Sequence, residues 1–145
     1  MPTPTGSPAR KRAVGAAAAA LGVEVLLYER YGAHEASFHW FTHVYVGGAA
    51  ALLVLSGLTL LRRRESPYPA VWVVGGHVVA LVPDLLFTLR DMAHRPWMDI
   101  FLGHLSTHFV PGRNATWFAV FAVAVAAYVL SVERVVGGAA HRGPA

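Results

Sequence analysis

The chain has 145 residues, 55% hydrophobic and only 14% charged, where a water-soluble domain carries about a quarter charged. That balance excludes a disordered chain and an ordinary soluble core, and the length suits one domain. With no cysteine, the chain is excluded from disulfide, thiolate-metal, iron–sulfur and cysteine-nucleophile chemistry.

Residues 1–12 open with Pro, Thr, Gly and Ser, show no apolar periodicity and end in Arg10-Lys11-Arg12, which predicts a disordered tail. A first apolar run, Ala13–Tyr28, is interrupted by Glu24. Its basic flank also suits a signal peptide, but Gly32-Ala33-His34-Glu35-Ala36 makes a poor cleavage site, so the run is expected to be retained as a helix. A second run, Phe38–Leu61, ends at Arg62-Arg63-Arg64. A third spans Ala70–Leu89 and a fourth Ala115–Val132. A helix crosses a bilayer core with about 20 apolar residues. The predicted fold is therefore all-α, a polytopic membrane protein with four transmembrane helices over residues 13–137 and a flexible tail over 138–145. Gly and Ala recur in every run, as helices packing closely in lipid require. Between the third and fourth runs, Trp97, Ile100, Phe101, Leu102, Leu105 and Phe109 alternate with Asp99, His104 and His108. That pattern predicts an amphipathic or re-entrant helix, begun at Pro96 and stopped by Pro111-Gly112.

Four spans put Arg10, Lys11, Arg12, Arg62, Arg63, Arg64, Arg134 and Arg142 on one side, and Arg30, Arg90, Arg95 and Arg113 on the other. The excess places both termini and the 62–69 loop in the cytoplasm of a cell inner (plasma) membrane. The net charge of +4 is thereby a topology signal. Nucleic acid is not called for as a partner. Membrane lipids are the expected partners, with a membrane-protein partner or a second copy of the chain as further candidates.

The ionisable groups sort by side. Of the eight histidines, six (His34, His39, His43, His94, His104, His108) fall at the outer end, leaving His77 and His141. So do the acids Glu24, Glu29, Glu35, Asp84, Asp91 and Asp99. At 1.5 Å per residue, Glu24, His43 and Asp84 lie about 6, 7 and 8 Å inside the outer ends of their helices. An acid within a bilayer costs a few kcal/mol unless paired, so this shared layer is a candidate site. His39/His43 and His104/His108 are i, i+4 pairs, which put two imidazoles on one helical face in the manner of zinc-binding helices. His77, Asp84 and Asp91 recur every seven residues as one polar stripe facing the bundle interior, with His77 too deep for the layer and read as an interhelical hydrogen-bonding group.

The candidate metal ligands are His39, His43, Asp84, His104 and His108, with Asp84, Glu24 or Asp99 as candidate general bases. Imidazole and carboxylate without sulfur suit zinc first, and iron, copper or manganese as well. Thr42-His43-x-x-x-Gly47, Val82-Pro83-Asp84 and Gly103-His104-Leu105-Ser106-Thr107-His108 together resemble the inner-membrane metal-dependent hydrolases. That family has an early His before a Gly-containing helix, a Leu-Pro-Asp-x-Asp motif and a Gly-His-Arg-Gly-x-Thr-His-Ser motif. The resemblance covers roughly residues 38–109 and implies metal or catalytic roles for His43, Asp84, His104 and His108. Leu86 stands in place of the second Asp, and the last motif has one residue fewer between its histidines.

The expected function is a membrane-embedded, metal-dependent hydrolase near the outer face, acting on a lipid or other amphiphile with a metal-activated water. The alternatives are a copper or non-haem iron membrane oxidoreductase, and a non-catalytic metal-binding subunit of a membrane complex. The oxidoreductases that use such histidine pairs generally add a His-His pair, absent here.

Overall fold

A computed structural model of the chain describes residues 8–32, 37–93 and 95–140, with side chains for 11–23, 25, 26, 41–93, 95–112 and 114–137. The described residues form four helices: α1 (Pro8–Gly32), α2 (Ser37–Arg62), α3 (Pro69–Arg90) and α4 (Arg113–Ala140). They contain no strand. Three stretches, Phe41–Arg62, Pro69–Arg90 and Asn114–Gly137, are long and apolar enough to cross a membrane. α1 is long enough but starts among Arg10, Lys11 and Arg12, so its helix begins inside the stretch expected to be a tail.

α2 is the central helix, packing against both α3 and α4, while α1 lies mainly on α3. Half of the apolar window of α2 is buried, against 11% for α4, whose outer faces are left for lipid. The core is small: Ala49, Leu52, Leu55 and Ala124, flanked by Val73, Phe121 and Tyr128. Its alanines, Ala49 and Ala124, let the helices approach closely, and tight backbone approach rather than apolar burial is what holds helices together in lipid.

That approach is closest where α2 crosses α3. A Cβ added to Gly47 would overlap the Gly76 carbonyl, and one added to Gly76 would overlap the Gly47 carbonyl. The two backbones are therefore in direct contact, a spacing only glycine permits. One residue along, Gly48 leaves room for Phe121 of α4 and for Nε2 of His77, which is buried at this triple junction. Nearer the start of α2, Tyr45 packs edge-on to Phe118 and tilted against Phe121, with ring centroids 5.5 and 5.9 Å apart.

The connection before α4 differs from the continuous helix expected for it. It holds two short 3-10 helices, Pro96–Ile100 and Ser106–Phe109, joined by a tight bend. Leu102 and Gly103 take φ of +56° and +70°, which an α-helix cannot accommodate. The bend is held by Asp99, whose Oδ1 accepts the Leu105 and Ser106 N–H groups at 2.6 and 2.9 Å and whose Oδ2 accepts the Ser106 hydroxyl at 2.5 Å. An aspartate capturing backbone amides beyond it competes with helix hydrogen bonding and favours a turn. Met98, fully buried, anchors the first of the two short helices.

Candidate metal centre

The Gly47–Gly76 contact sets the register of α2 against α3. One turn before Gly47 comes His43; one and two turns beyond Gly76 come Ala80 and Asp84. Antiparallel packing thus brings His43 against Asp84, with Nε2 3.5 Å from Oδ2. The folded connection descends on the same point. His104 sits with Nε2 3.4 Å from the other carboxylate oxygen, Oδ1. Both imidazoles are almost wholly buried, at 1% exposure, and Asp84 is 8% exposed.

Ring geometry completes the cluster. His43 and His104 stack with centroids 4.2 Å apart and planes within 12°. His108 stands perpendicular to both, 5.1 Å from His43 and 5.8 Å from His104. His43, His104 and His108 each offer a ring nitrogen within 4.8 Å of the other two, a group that could hold a metal ion.

The orientation of His104 follows from its other nitrogen. Nδ1 lies 3.2 Å from the Ala80 carbonyl, and a carbonyl can only accept, so Nδ1 carries the hydrogen. In the neutral ring, Nε2 then presents a lone pair to Asp84 Oδ1. A lone pair facing a carboxylate oxygen at 3.4 Å in a buried site is unfavourable, and either a metal ion or a second ring proton relieves it. A backbone carbonyl fixing the distal nitrogen is the usual outer-sphere partner of a ligating imidazole. Pro83 contributes beside it: lacking an N–H, it leaves the α3 hydrogen-bond ladder incomplete one residue before Asp84.

The connection is pinned over the cluster from two sides. Trp117 of α4 donates its indole N–H to the Thr107 carbonyl at 3.2 Å, and Thr107, itself buried, donates its hydroxyl to the His104 carbonyl at 2.9 Å. Thr42, next to His43, donates to the Asn114 side-chain oxygen and so ties α2 to the start of α4.

The structure therefore assembles His43, Asp84, His104 and His108. Asp99, expected as a candidate base, is spent on the bend, and its carboxyl is held below the ordinary aspartate range, chiefly by the Ser106 hydroxyl and then by the Ser106 amide. His77 lies two turns of α3 below Asp84, outside the cluster, and Asp91 is exposed as the left-handed C-cap of α3. The side chains of His39 and Glu24, both expected at the site, lie outside the described residues, as do those of His34, His94 and His141. Three supporting groups escaped the reading of the sequence, the Ala80 carbonyl, Asn114 and Trp117; Thr42 and Thr107 entered it only as letters of the motifs around the histidines, without the hydrogen bonds they make.

Comparison with known protein families, with curated proteins and with solved structures finds no match to this chain. The chain is, on its own geometry, an all-helical protein with helices fit to span a membrane and a largely buried histidine group that could hold a metal.

Proposed function

We propose that this chain is a small inner-membrane protein that holds one divalent metal, zinc in the first instance, and hydrolyses a lipid or other amphiphile. In this reading α1, 25 residues long and lying along α3, is the fourth span. The arginine-rich end faces the cytoplasm and the histidine end faces outward. The observation that carries the proposal is the convergence of two imidazole Nε2 atoms on opposite oxygens of one buried carboxylate, with a third imidazole standing across them.

His43, His104 and His108 would hold the ion, and zinc bound there would supply Lewis acidity and a water nucleophile near neutral pH. The remaining roles belong to the protein. Ala80 holds His104 in one tautomer, so its Nε2 is ready as a ligand. Asp84, within 3.5 Å of two imidazoles, is placed to take up the proton that an attacking water gives up. His108, half-buried, lies on the accessible side of the cluster. At the same end of the bundle Leu89, Ile100 and Phe109 are 70–85% exposed, an apolar rim suited to an acyl chain entering sideways from the bilayer. The same features favour an ester, amide or phosphoester whose polar group reaches the site while its tail stays in lipid.

The test is metal analysis of the full chain purified in detergent, followed by turnover on ester, amide and phosphoester amphiphiles. One equivalent of metal is expected in the native chain and almost none in the His43→Ala/His108→Ala double variant. Asp84→Asn should lower turnover at saturating metal by about two orders of magnitude or more, the usual contribution of a positioned base. Unchanged metal in the double variant would sink the proposal. Stoichiometric metal without turnover on any of the three substrate classes would remove the enzyme and leave a metal-binding subunit.

A further inference from the structure

A cavity of about 310 Å³ opens at the end of the bundle opposite the histidines. It is lined by Leu58, Thr59 and Arg62 at the end of α2, by Arg64, Glu65, Ser66 and Pro67 in the loop after it, and by Trp72 of α3. Thr59 is sixteen residues from His43, about 24 Å along α2, so the two sites share no residue.

Three observations point to what this cavity takes. The first is Thr59, 1% exposed, whose hydroxyl has no hydrogen-bond partner among the described residues. A threonine in a helix can satisfy its hydroxyl on the carbonyl four residues back, as Ser56 does on Leu52 and Ser131 on Ala127. Thr59 makes no such bond, and a buried hydroxyl without a partner is costly, so an acceptor that enters the cavity Thr59 lines and displaces the atoms covering the hydroxyl gains a donor there. The second is charge. Arg62 and Arg64 line the cavity against one glutamate, and Arg63 between them takes φ of +53°, reversing the chain as the helix ends. That reversal lets arginines two apart serve one cavity while Arg63 is left out of its lining. The third is depth. Trp72, on the first turns of α3 and 44% exposed, stands where an amphipathic ring marks the boundary of lipid and water.

We infer that this cavity binds the phosphodiester of an anionic glycerophospholipid. Thr59 donates to a phosphate oxygen, Arg62 and Arg64 neutralise its charge, and the acyl chains run down the exposed apolar surface beside Trp72. Glu65 and Ser66 are left at the mouth for the hydroxyls of a polyol headgroup. A phosphate is the fitting ligand because it offers only acceptors, to which a hydroxyl and two guanidinium groups can all donate. Bulk attraction of arginines to an anionic leaflet, in contrast, is indifferent to which arginine is removed and needs no buried hydroxyl.

The test is native mass spectrometry of the full chain in detergent, titrated with short-chain phosphatidylglycerol, phosphatidylcholine or inorganic phosphate. One saturable phosphatidylglycerol per chain is expected. Arg64→Gln should weaken it about tenfold, and Arg63→Gln, which removes the same charge, by less than about twofold. Thr59→Val should weaken it several-fold while leaving thermal stability unchanged or raised, because no protein partner is lost; Thr59→Ser should restore binding. Equal affinity for phosphatidylcholine, equal losses at Arg63 and Arg64, or displacement of the lipid by millimolar inorganic phosphate would each overturn the inference. None of these readouts depends on metal at the histidine end.

Discussion

At the histidine end of the bundle, buried polar atoms come from three separate stretches of chain and face one another: His43 and His104 across Asp84, with His108 alongside. At the basic end, one contiguous stretch, residues 58–72, surrounds an open cavity with arginines and a single buried hydroxyl. The first arrangement suits a compact cation gripped from all sides in a dry place. The second suits a large, polar, partly wet group approached from one side. Burial decides the difference. Imidazole can be neutral and so can be carried into the apolar interior, whereas guanidinium stays charged and must remain near water. The same four-helix frame thus presents opposite chemistry at its two ends.

The sharpest way to break that contrast is to remove one buried ligand. His104→Ala should abolish metal binding, a loss of at least about a hundredfold in affinity read by metal titration, with lipid binding at the basic end untouched. Next in size is the helix crossing. Gly76→Val forces a side chain into the Gly47 carbonyl and should destabilise the protein by about 3 kcal/mol, seen as a lower melting temperature in detergent. Because the crossing sets the register of His43 on Asp84, metal affinity should fall with stability, whereas the basic end, made of local sequence, should lose less.

A smaller effect is expected from Trp117→Phe, which deletes the hydrogen bond to the Thr107 carbonyl. About 1 kcal/mol, or several-fold in metal affinity, should be lost at the histidine end alone. The most local prediction concerns pH. The Asp99 carboxyl is lowered from its ordinary 3.8 by the Ser106 hydroxyl first. Its bracing of the bend is therefore fully present above pH 3.8 and is lost as pH falls through the lower, folded value. Amide exchange at Leu105 and Ser106 should accelerate over that acidic window, stay unchanged near Thr59, and lose its pH dependence in Asp99→Asn.

How much of the site could be read in advance depends on the residue. Asp84 and His43 were legible because an acid and an imidazole inside apolar runs have no reason to be there except to meet something. His104 and His108 were legible as a spaced pair, but for a reason the structure replaces: they converge through a tight bend, not along one helical face. Asp99 looked like chemistry and serves as a brace, since a carboxylate that captures amides beyond it has the same sequence as one awaiting a substrate. Trp117 and the Ala80 carbonyl carried no signal at all. An indole near a helix start reads as an interfacial anchor, and a backbone oxygen has no letter.

Composition and the spacing of apolar runs were enough to establish helices fit to span a membrane, with most of the histidines gathered at one end and a run of arginines at the other, because hydrocarbon punishes every unsatisfied polar group and leaves few arrangements open. Which of those groups touch was decided by tertiary structure. The contact between Gly47 and Gly76 slides α2 along α3 to a single register, and the Asp99 bend lowers two imidazoles onto the pair so aligned. The first is a steric match between helices remote in sequence, the second a hydrogen-bonded turn that must land on it, and neither meets the other until the helices have packed.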